Sequence, residues 1–152
     1  MTFQLRTYEP ADFEILYEID QACYEPSIAY SRRELRNYLR FPGAGCVVAE
    51  SVEKGSPRIV GFCITAHRAA HGYIVTIDVL RPYRRHGAGS LLLAECEHRL
   101  ASAGIREVSL ETATDNSSAI AFWQKHGYRK LKIQKNYYPG GRDAFSMSKP
   151  LA

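Results

Sequence analysis

Arg84-Arg85-His86-Gly87-Ala88-Gly89 lies between a strand-like run, Tyr73 to Leu80, and a helix-like run, Ser90 to Ala103. A strand that turns through glycines into a helix start is suited to hold phosphates. N–H groups in the first turn of a helix have no partner within it, and the helix dipole favours an anion there. Gly87 and Gly89 lack a Cβ, so a ligand can lie against the backbone. The arginines add charge that cannot be titrated away.

The surrounding chain reads as one mixed α/β domain over residues 1–152. Its 152 residues suit a single core. Gln4 to Tyr8 alternates like a strand. Pro10 to Cys23 has helical spacing, with Phe13, Leu16, Tyr17, Ile19 and Asp20 marking its turns and Pro10 suited to a first helical position. Ser31-Arg32-Arg33-Glu34 is a capping box, which predicts a helix to about Arg40. Cys46 to Glu50 and Arg58 to Ala66, joined by the polar Ser51 to Pro57, suggest a hairpin. Tyr73 to Leu80 extends this meander. After the glycine turn, Leu91, Leu92, Leu93, Cys96 and Leu100 define a helix that Gly104 can end. Glu107 to Thr112 is a strand, and Ser117 to His126 a helix ended by Gly127. Tyr128 to Tyr137 and Ala144 to Lys149 read as a closing strand pair. The order is β-α-α-β-β-β-α-β-α-β-β.

Composition narrows the function. The net charge of +4 is only mildly basic and does not suggest a direct nucleic-acid binder. Much of the excess lies in Arg81 to His86, around the glycine turn, and in Lys125 to Lys135. The longest apolar run, Ile59 to Ala66, is far too short to span a bilayer, so no membrane partner is expected. The opening residues lack a signal-peptide segment. Cys23, Cys46, Cys63 and Cys96 form no CxxC pair. Free thiols in a cytoplasmic protein are the expectation, with no disulfide framework and no metal. His67, His71 and His126 show no ligand spacing and read as surface or turn residues.

Known phosphate motifs can be compared directly. A P-loop ending in Gly-Lys-Ser/Thr is missing from the sequence. A dinucleotide fingerprint requires a small residue where Leu92 stands, in a unit that opens a βαβ fold. The pattern Arg/Gln-x-x-Gly-x-Gly/Ala fits at Arg84, Gly87 and Gly89.

At these residues the chain resembles the GNAT acetyltransferase superfamily over almost its whole length. Arg84 to Gly89 is similar to that superfamily's pyrophosphate motif for acetyl-CoA. Asn116-Ser117-Ser118-Ala119-Ile120-Ala121-Phe122-Trp123 with His126-Gly127-Tyr128 resembles its second motif, N-x-x-A-x-x-x-Y-x-x-x-G-F. Asn136-Tyr137-Tyr138-Pro139 with Asp143-Ala144 resembles the closing hairpin of the RimI type of protein N-terminal acetyltransferase. The resemblance implies a mixed, mostly antiparallel sheet of six to seven strands with four helices. It implies acetyl-CoA as co-substrate and direct attack by a primary amine in a ternary complex. The implied acceptor is a protein or peptide N-terminus, with that of a ribosomal protein among the candidates. A small-molecule amine and a non-catalytic acyl-CoA sensor stay open as alternatives.

Cofactor contacts follow from the motifs. Backbone groups from Arg85 through His86, Gly87, Ala88 and Gly89 to Ser90 can hold the pyrophosphate. Arg84, Arg85 and Lys125 are candidates for the outer phosphates. Asn116 and Trp123 belong to the second motif, and Asn116 is also a natural helix N-cap. The pantetheine amides can pair with a strand edge, which the resemblance places at Ile77, Asp78 and Val79.

The chemistry asks for a neutral amine. An α-amine has a reference pKa of about 8 and a lysine about 10.4, so deprotonation at pH 7 costs roughly 1.4 and about 5 kcal/mol. A modest base then suffices for an N-terminus. Glu111, at a strand end, matches the base of the RimI type, and Tyr73 is the second candidate through a shared water chain. Trp123 stands where the motif carries an acidic tyrosine, and an indole N–H supplies no proton. The acid role is then open to Tyr138, Tyr128 or water, or the thiolate leaves unprotonated and is held by hydrogen bonds. Tyr30, Tyr137 and Tyr138 are the implied acceptor contacts.

Overall fold

The computed structural model describes residues 1–53 and 55–151. Lys54, within the expected Ser51 to Pro57 connection, and Ala152, the last residue of the expected domain, lie outside the described residues. The elements are β1 (Phe3–Thr7), α1 (Phe13–Cys23), α2 (Arg32–Arg40), β2 (Gly45–Ser51), β3 (Arg58–Arg68), β4 (His71–Val79), α3 (Ala88–Ser102), β5 (Glu107–Ala113), α4 (Ser117–Lys125), β6 (Arg129–Tyr138) and β7 (Arg142–Pro150). This is the order read from the sequence.

Local signals explain the boundaries. Ser31 accepts the Glu34 N–H while the Glu34 side chain accepts the Ser31 N–H, so both halves of the capping box form at the start of α2. Gly104 and Gly127 follow α3 and α4 with φ of +85° and +92°, a region glycine enters without strain. Pro10 departs from expectation. It opens a separate 3-10 turn, Pro10–Asp12, because the Asp12 carboxylate accepts the Glu9 N–H and pairs with Arg6 at 2.9 Å. The α-helix starts only after that anchor.

Seven strands form one sheet in the order β1-β2-β3-β4-β5-β7-β6. Every neighbouring pair is antiparallel except β4 with β5. One face of the sheet packs on α3 and α4 through Val47, Cys63, Ile74, Leu92, Leu93, Leu110 and Trp123. The other face packs on α1 and α2 through Leu16, Ile19, Leu35, Val48, Phe62 and Ile64. β6 is the outer edge strand and carries exposed Lys130, Lys132 and Lys135 beside exposed Leu131 and Ile133. Cys46, Cys63 and Cys96 are buried, Cys23 is half-buried, and all four thiols are free.

Trp123 belongs to the core. It is 5% exposed and packs edge-on against Tyr128 and Phe122, with ring centroids 5.3 and 5.1 Å away. Tyr128 is buried beside it and donates its hydroxyl to Glu97 at 2.7 Å. Trp123→Ala is therefore expected to destabilise the fold by about 3–5 kcal/mol, read as a lower urea midpoint.

Candidate active site

The parallel pairing of β4 with β5 covers only His71–Glu107, Gly72–Val108 and Tyr73–Ser109. Both strands then continue without pairing to each other. β4 stays with β3, and β5 stays with β7. A gap opens between them. Just past the last pair β4 carries a bulge, because Ile64 faces Thr76 while Thr65 faces Ile74, leaving Val75 extra. A bulge bends its strand and increases its twist.

Side chains from outside the sheet take up the gap-side carbonyls of β4. Tyr30 donates its hydroxyl to the Val75 carbonyl at 3.3 Å, Tyr24 to that of Ile77 at 3.0 Å, and Arg84 Nε to that of Val79 at 2.7 Å. The Leu80 N–H turns to β3 and reaches the Val60 carbonyl. With a two-residue period, the backbone groups of Asp78 also turn to β3, and the N–H groups of Ile77 and Val79 face the gap. The expected cofactor edge is thereby sharpened to Ile77 and Val79. Asp78 departs from it. Its carboxyl is 1% exposed and turned towards α1 and Thr76.

The glycine turn sits at the mouth of this gap. Arg85 and Gly87 have φ of +64° and +90°, and Gly87 caps α3 without a side-chain hydrogen bond. The first helical bond of α3 runs from the Leu91 N–H to the Gly87 carbonyl. The N–H groups of Ala88, Gly89 and Ser90 therefore precede the helical ladder and stay available to an anion. Gly89 also serves packing, since a Cβ there would lie 3.3 Å from the Phe122 ring. Ser90 Oγ lies 2.9 Å from His126 Nε2, and burial lowers the pKa of that imidazole. His126 lies in the turn that ends α4, as the sequence allowed, and is a partly buried link from there to α3. Lys125 precedes it, exposed like His86 and Arg85. Arg84 is exposed and donates its Nε–H to the Val79 carbonyl, which fixes the guanidinium at the mouth of the gap. Asn116 caps α4 by accepting the Ala119 N–H at 3.1 Å.

The acceptor side is built from carboxylate and phenols. Val108 and Leu110 face the α3 core, so the alternation of β5 puts Ser109 and Glu111 on the α1–α2 face. Glu111 Oε1 accepts the Tyr137 hydroxyl at 3.2 Å, and its Oε2 accepts the Ser146 hydroxyl at 3.4 Å. Gln134 in turn donates to Ser146 at 2.7 Å. Tyr73 lies on the same face, exposed and against His71 at 4.7 Å, opposite Ser109 in the last strand pair. Tyr137 and Tyr138 pack edge to face at 4.9 Å, and Tyr30 packs on Tyr38 at 5.0 Å. Burial, then the Glu111 charge, pushes the Tyr138 phenol up to about 12 and raises Tyr137 as well. Both stay protonated at neutral pH.

The fold therefore brings Glu111, Tyr73, Tyr30, Tyr137 and Tyr138 to one side of the gap. Two expected contributors fall away. Tyr128 commits its hydroxyl to Glu97 inside the core, and Trp123 is enclosed by aromatic rings rather than presented to the gap. Sequence reasoning missed Tyr24, Ser146 and Arg142. Arg142 reaches Glu25 and Asp115 at 2.6 Å each and straps the end of α1 to the β5–α4 turn. No motif marks these residues, because their roles depend on which loops meet.

Comparison with known proteins identifies the family. Residues 13–128 match the model of the acetyltransferase (GNAT) family. The chain belongs to that family and is an N-acetyltransferase by fold and relationship. An N-alpha-acetyltransferase of Sulfolobus acidocaldarius is 29% identical, with 99% of this chain and 94% of the relative covered. The [ribosomal protein bS18]-alanine N-acetyltransferase of Haemophilus influenzae is 31% identical over 89% of each chain. Two other archaeal N-alpha-acetyltransferases are 40% and 38% identical over 81 residues, and the match spans about half their length. Among solved structures, the NatC complex bound to Gag peptide and CoA contains a chain of TM-score 0.83 and 26% identity, with all of both chains covered. The N–H cradle at Arg85 to Ser90 and the free edge at Ile77 and Val79 fit acetyl-CoA as co-substrate.

Gly87→Ala places a Cβ at φ +90° in otherwise open space. Strain of about 1–2 kcal/mol in the left-handed region then falls on the cradle. The expected result is an acetyl-CoA Kd weaker by about tenfold in calorimetry.

Proposed function

We propose that this chain acetylates the α-amine of a protein or peptide N-terminus with acetyl-CoA. The observation that carries this reading is the placement of Glu111. Its carboxylate is fixed from two sides by the Tyr137 and Ser146 hydroxyls, beside the point where β4 and β5 part. An amine entering from the α1–α2 face meets that carboxylate, while the cofactor edge lies on the facing strand. The names of the relatives support the same acceptor class.

The roles follow from the surroundings. Glu111 takes the proton of the attacking amine, directly or through one water, with Tyr73 at the same throat. A phenol kept protonated can donate to a leaving thiolate, and Tyr138 is the half-buried phenol under the influence of Glu111. Tyr30 and Tyr137 offer phenol rims along which a peptide backbone can lie. The backbone N–H groups of Ile77 and Val79 hold the pantetheine amides, and residues 85–90 with Lys125 hold the phosphates. An alanine-initiated ribosomal peptide is the first acceptor to try.

The test is release of free CoA from acetyl-CoA with three acceptor sets. These are peptides with free α-amines, lysine peptides with blocked N-termini, and small polyamines. Turnover confined to the first set is expected, and turnover confined to small amines sinks the proposal. Tight acetyl-CoA binding without turnover across all three sets would favour a sensor. In Glu111→Gln, kcat is expected to fall by about 10²- to 10⁴-fold, with the acetyl-CoA Kd unchanged. Its residual rate should climb with pH towards about 8, where the free α-amine deprotonates unaided.

A further inference from the structure

Asp20 on α1 and Asp78 on β4 are buried, at 0% and 1% exposure. Each carboxyl spends one oxygen on a donor. Asp20 Oδ2 accepts the Tyr30 N–H at 2.8 Å, and Asp78 Oδ1 accepts the Thr76 hydroxyl at 2.6 Å. The remaining oxygens, Asp20 Oδ1 and Asp78 Oδ2, are buried with no donor of their own among the described residues. The end of α1 is tied to β4 beside them, with Cys23 Sγ 3.5 Å from the Val79 carbonyl and the Tyr24 hydroxyl 3.0 Å from that of Ile77, so the two acids share one buried site in which each carboxyl feels the other. Two acceptors cannot bond without a hydrogen between them, and a buried pair of anions is costly.

We infer that Asp20 and Asp78 share one proton, and that this bridged pair is a positioning device that locks the α1–α2 loop onto β4 and so sets Tyr30 at the acceptor side. The loop is clamped at one residue. Asp20 accepts the Tyr30 N–H while the neighbouring Gln21 donates to the Tyr30 carbonyl at 2.6 Å. That holds the Tyr30 hydroxyl on the Val75 carbonyl, at the bulge where the gap begins. The acceptor-side consequence rests on the peptide-acetyltransferase reading above, whereas the pair itself does not.

Little else around the pair can neutralise two charges. Glu34 faces it from α2, Cys23 and Tyr24 from the end of α1, Tyr30 from the loop, Cys46 from β2 and Cys63 from β3. The nearby cation, Arg84, points at the Val79 carbonyl and Cys23. Burial raises both carboxyls above the usual range, Asp78 strongly. The folded chain then holds a proton that unfolded aspartates release above about pH 4. Stability falls as pH rises through that window, by up to about tenfold in the unfolding constant per pH unit, until the folded pair itself titrates.

Asp20→Asn is the informative variant. Its amide oxygen can still take the Tyr30 N–H, and its NH₂ can donate to Asp78 without a titratable proton. Infrared spectra of the wild type near neutral pH are expected to show a buried carboxylic-acid band that Asp20→Asn lacks. The wild-type unfolding constant should also rise more steeply with pH than that of the variant. Lack of the band, or parallel pH curves, overturns the pair. Asp20→Ala should speed hydrogen exchange of the Tyr30 amide and raise the peptide KM by about tenfold, and Asp20→Asn should reverse both. Unchanged Tyr30 exchange in Asp20→Ala overturns the positioning role. If no peptide is acetylated by the wild type, the acceptor reading fails, while the band, the pH slope and the exchange rate still decide the pair and its loop.

Discussion

Much of this structure depends on a hydrogen-bond ladder that stops. β4 and β5 pair over three residues and then part, although both strands continue. Unpaired backbone groups at a sheet edge normally invite another strand. Here the carbonyls of the opened β4 edge are already taken by Tyr30, Tyr24 and Arg84, so only donors are left over. An edge offering N–H groups without matching carbonyls suits a ligand rich in carbonyl oxygens. The same gap joins the two faces of the sheet, which lets groups bound on opposite faces meet.

Those faces carry opposite chemistry. The α3 side ends in uncapped helix N–H groups with arginine, histidine and lysine nearby. The α1–α2 side gathers Glu111, phenols and a pair of acids. The first suits an anion and the second, at Glu111, an amine, in keeping with the proposed placement of cofactor and acceptor. The packing supports the division. Trp123, Tyr128 and Phe122 form an aromatic wedge beneath the phosphate turn, linked to α3 by the contact of Gly89 with Phe122.

The sequence made the element order legible because its signals are local. A capping box, helix-ending glycines and alternating apolar residues act within a few positions of one another. The glycine turn before α3 and the position of Glu111 near the end of β5 were legible for the same reason, through motif and strand pattern. The core packing of Trp123 was not legible, because a motif position says nothing about which way a ring is packed. The bond from Arg84 to the Val79 carbonyl was not legible, because it depends on where the turn folds back onto β4. Asp20 and Asp78 did leave a trace. Asp20 occupies the phase of Leu16 and Ile19 on α1, and Asp78 interrupts the apolar run Ile74 to Leu80. An acid at a core phase in two elements that later pack together is a detectable signal, yet their juxtaposition requires the topology.

The outer strand β6 has a consequence of another kind. It ends the sheet with an exposed ribbon on which lysines alternate with Leu131 and Ile133. A free edge of this length is a template for a second molecule to add its own strand. Closely spaced ammonium groups oppose that addition, because two such edges brought together would repel. Lys130, Lys132 and Lys135 on this edge thereby suit a solubility guard, whose worth is measured by the aggregates that do not form.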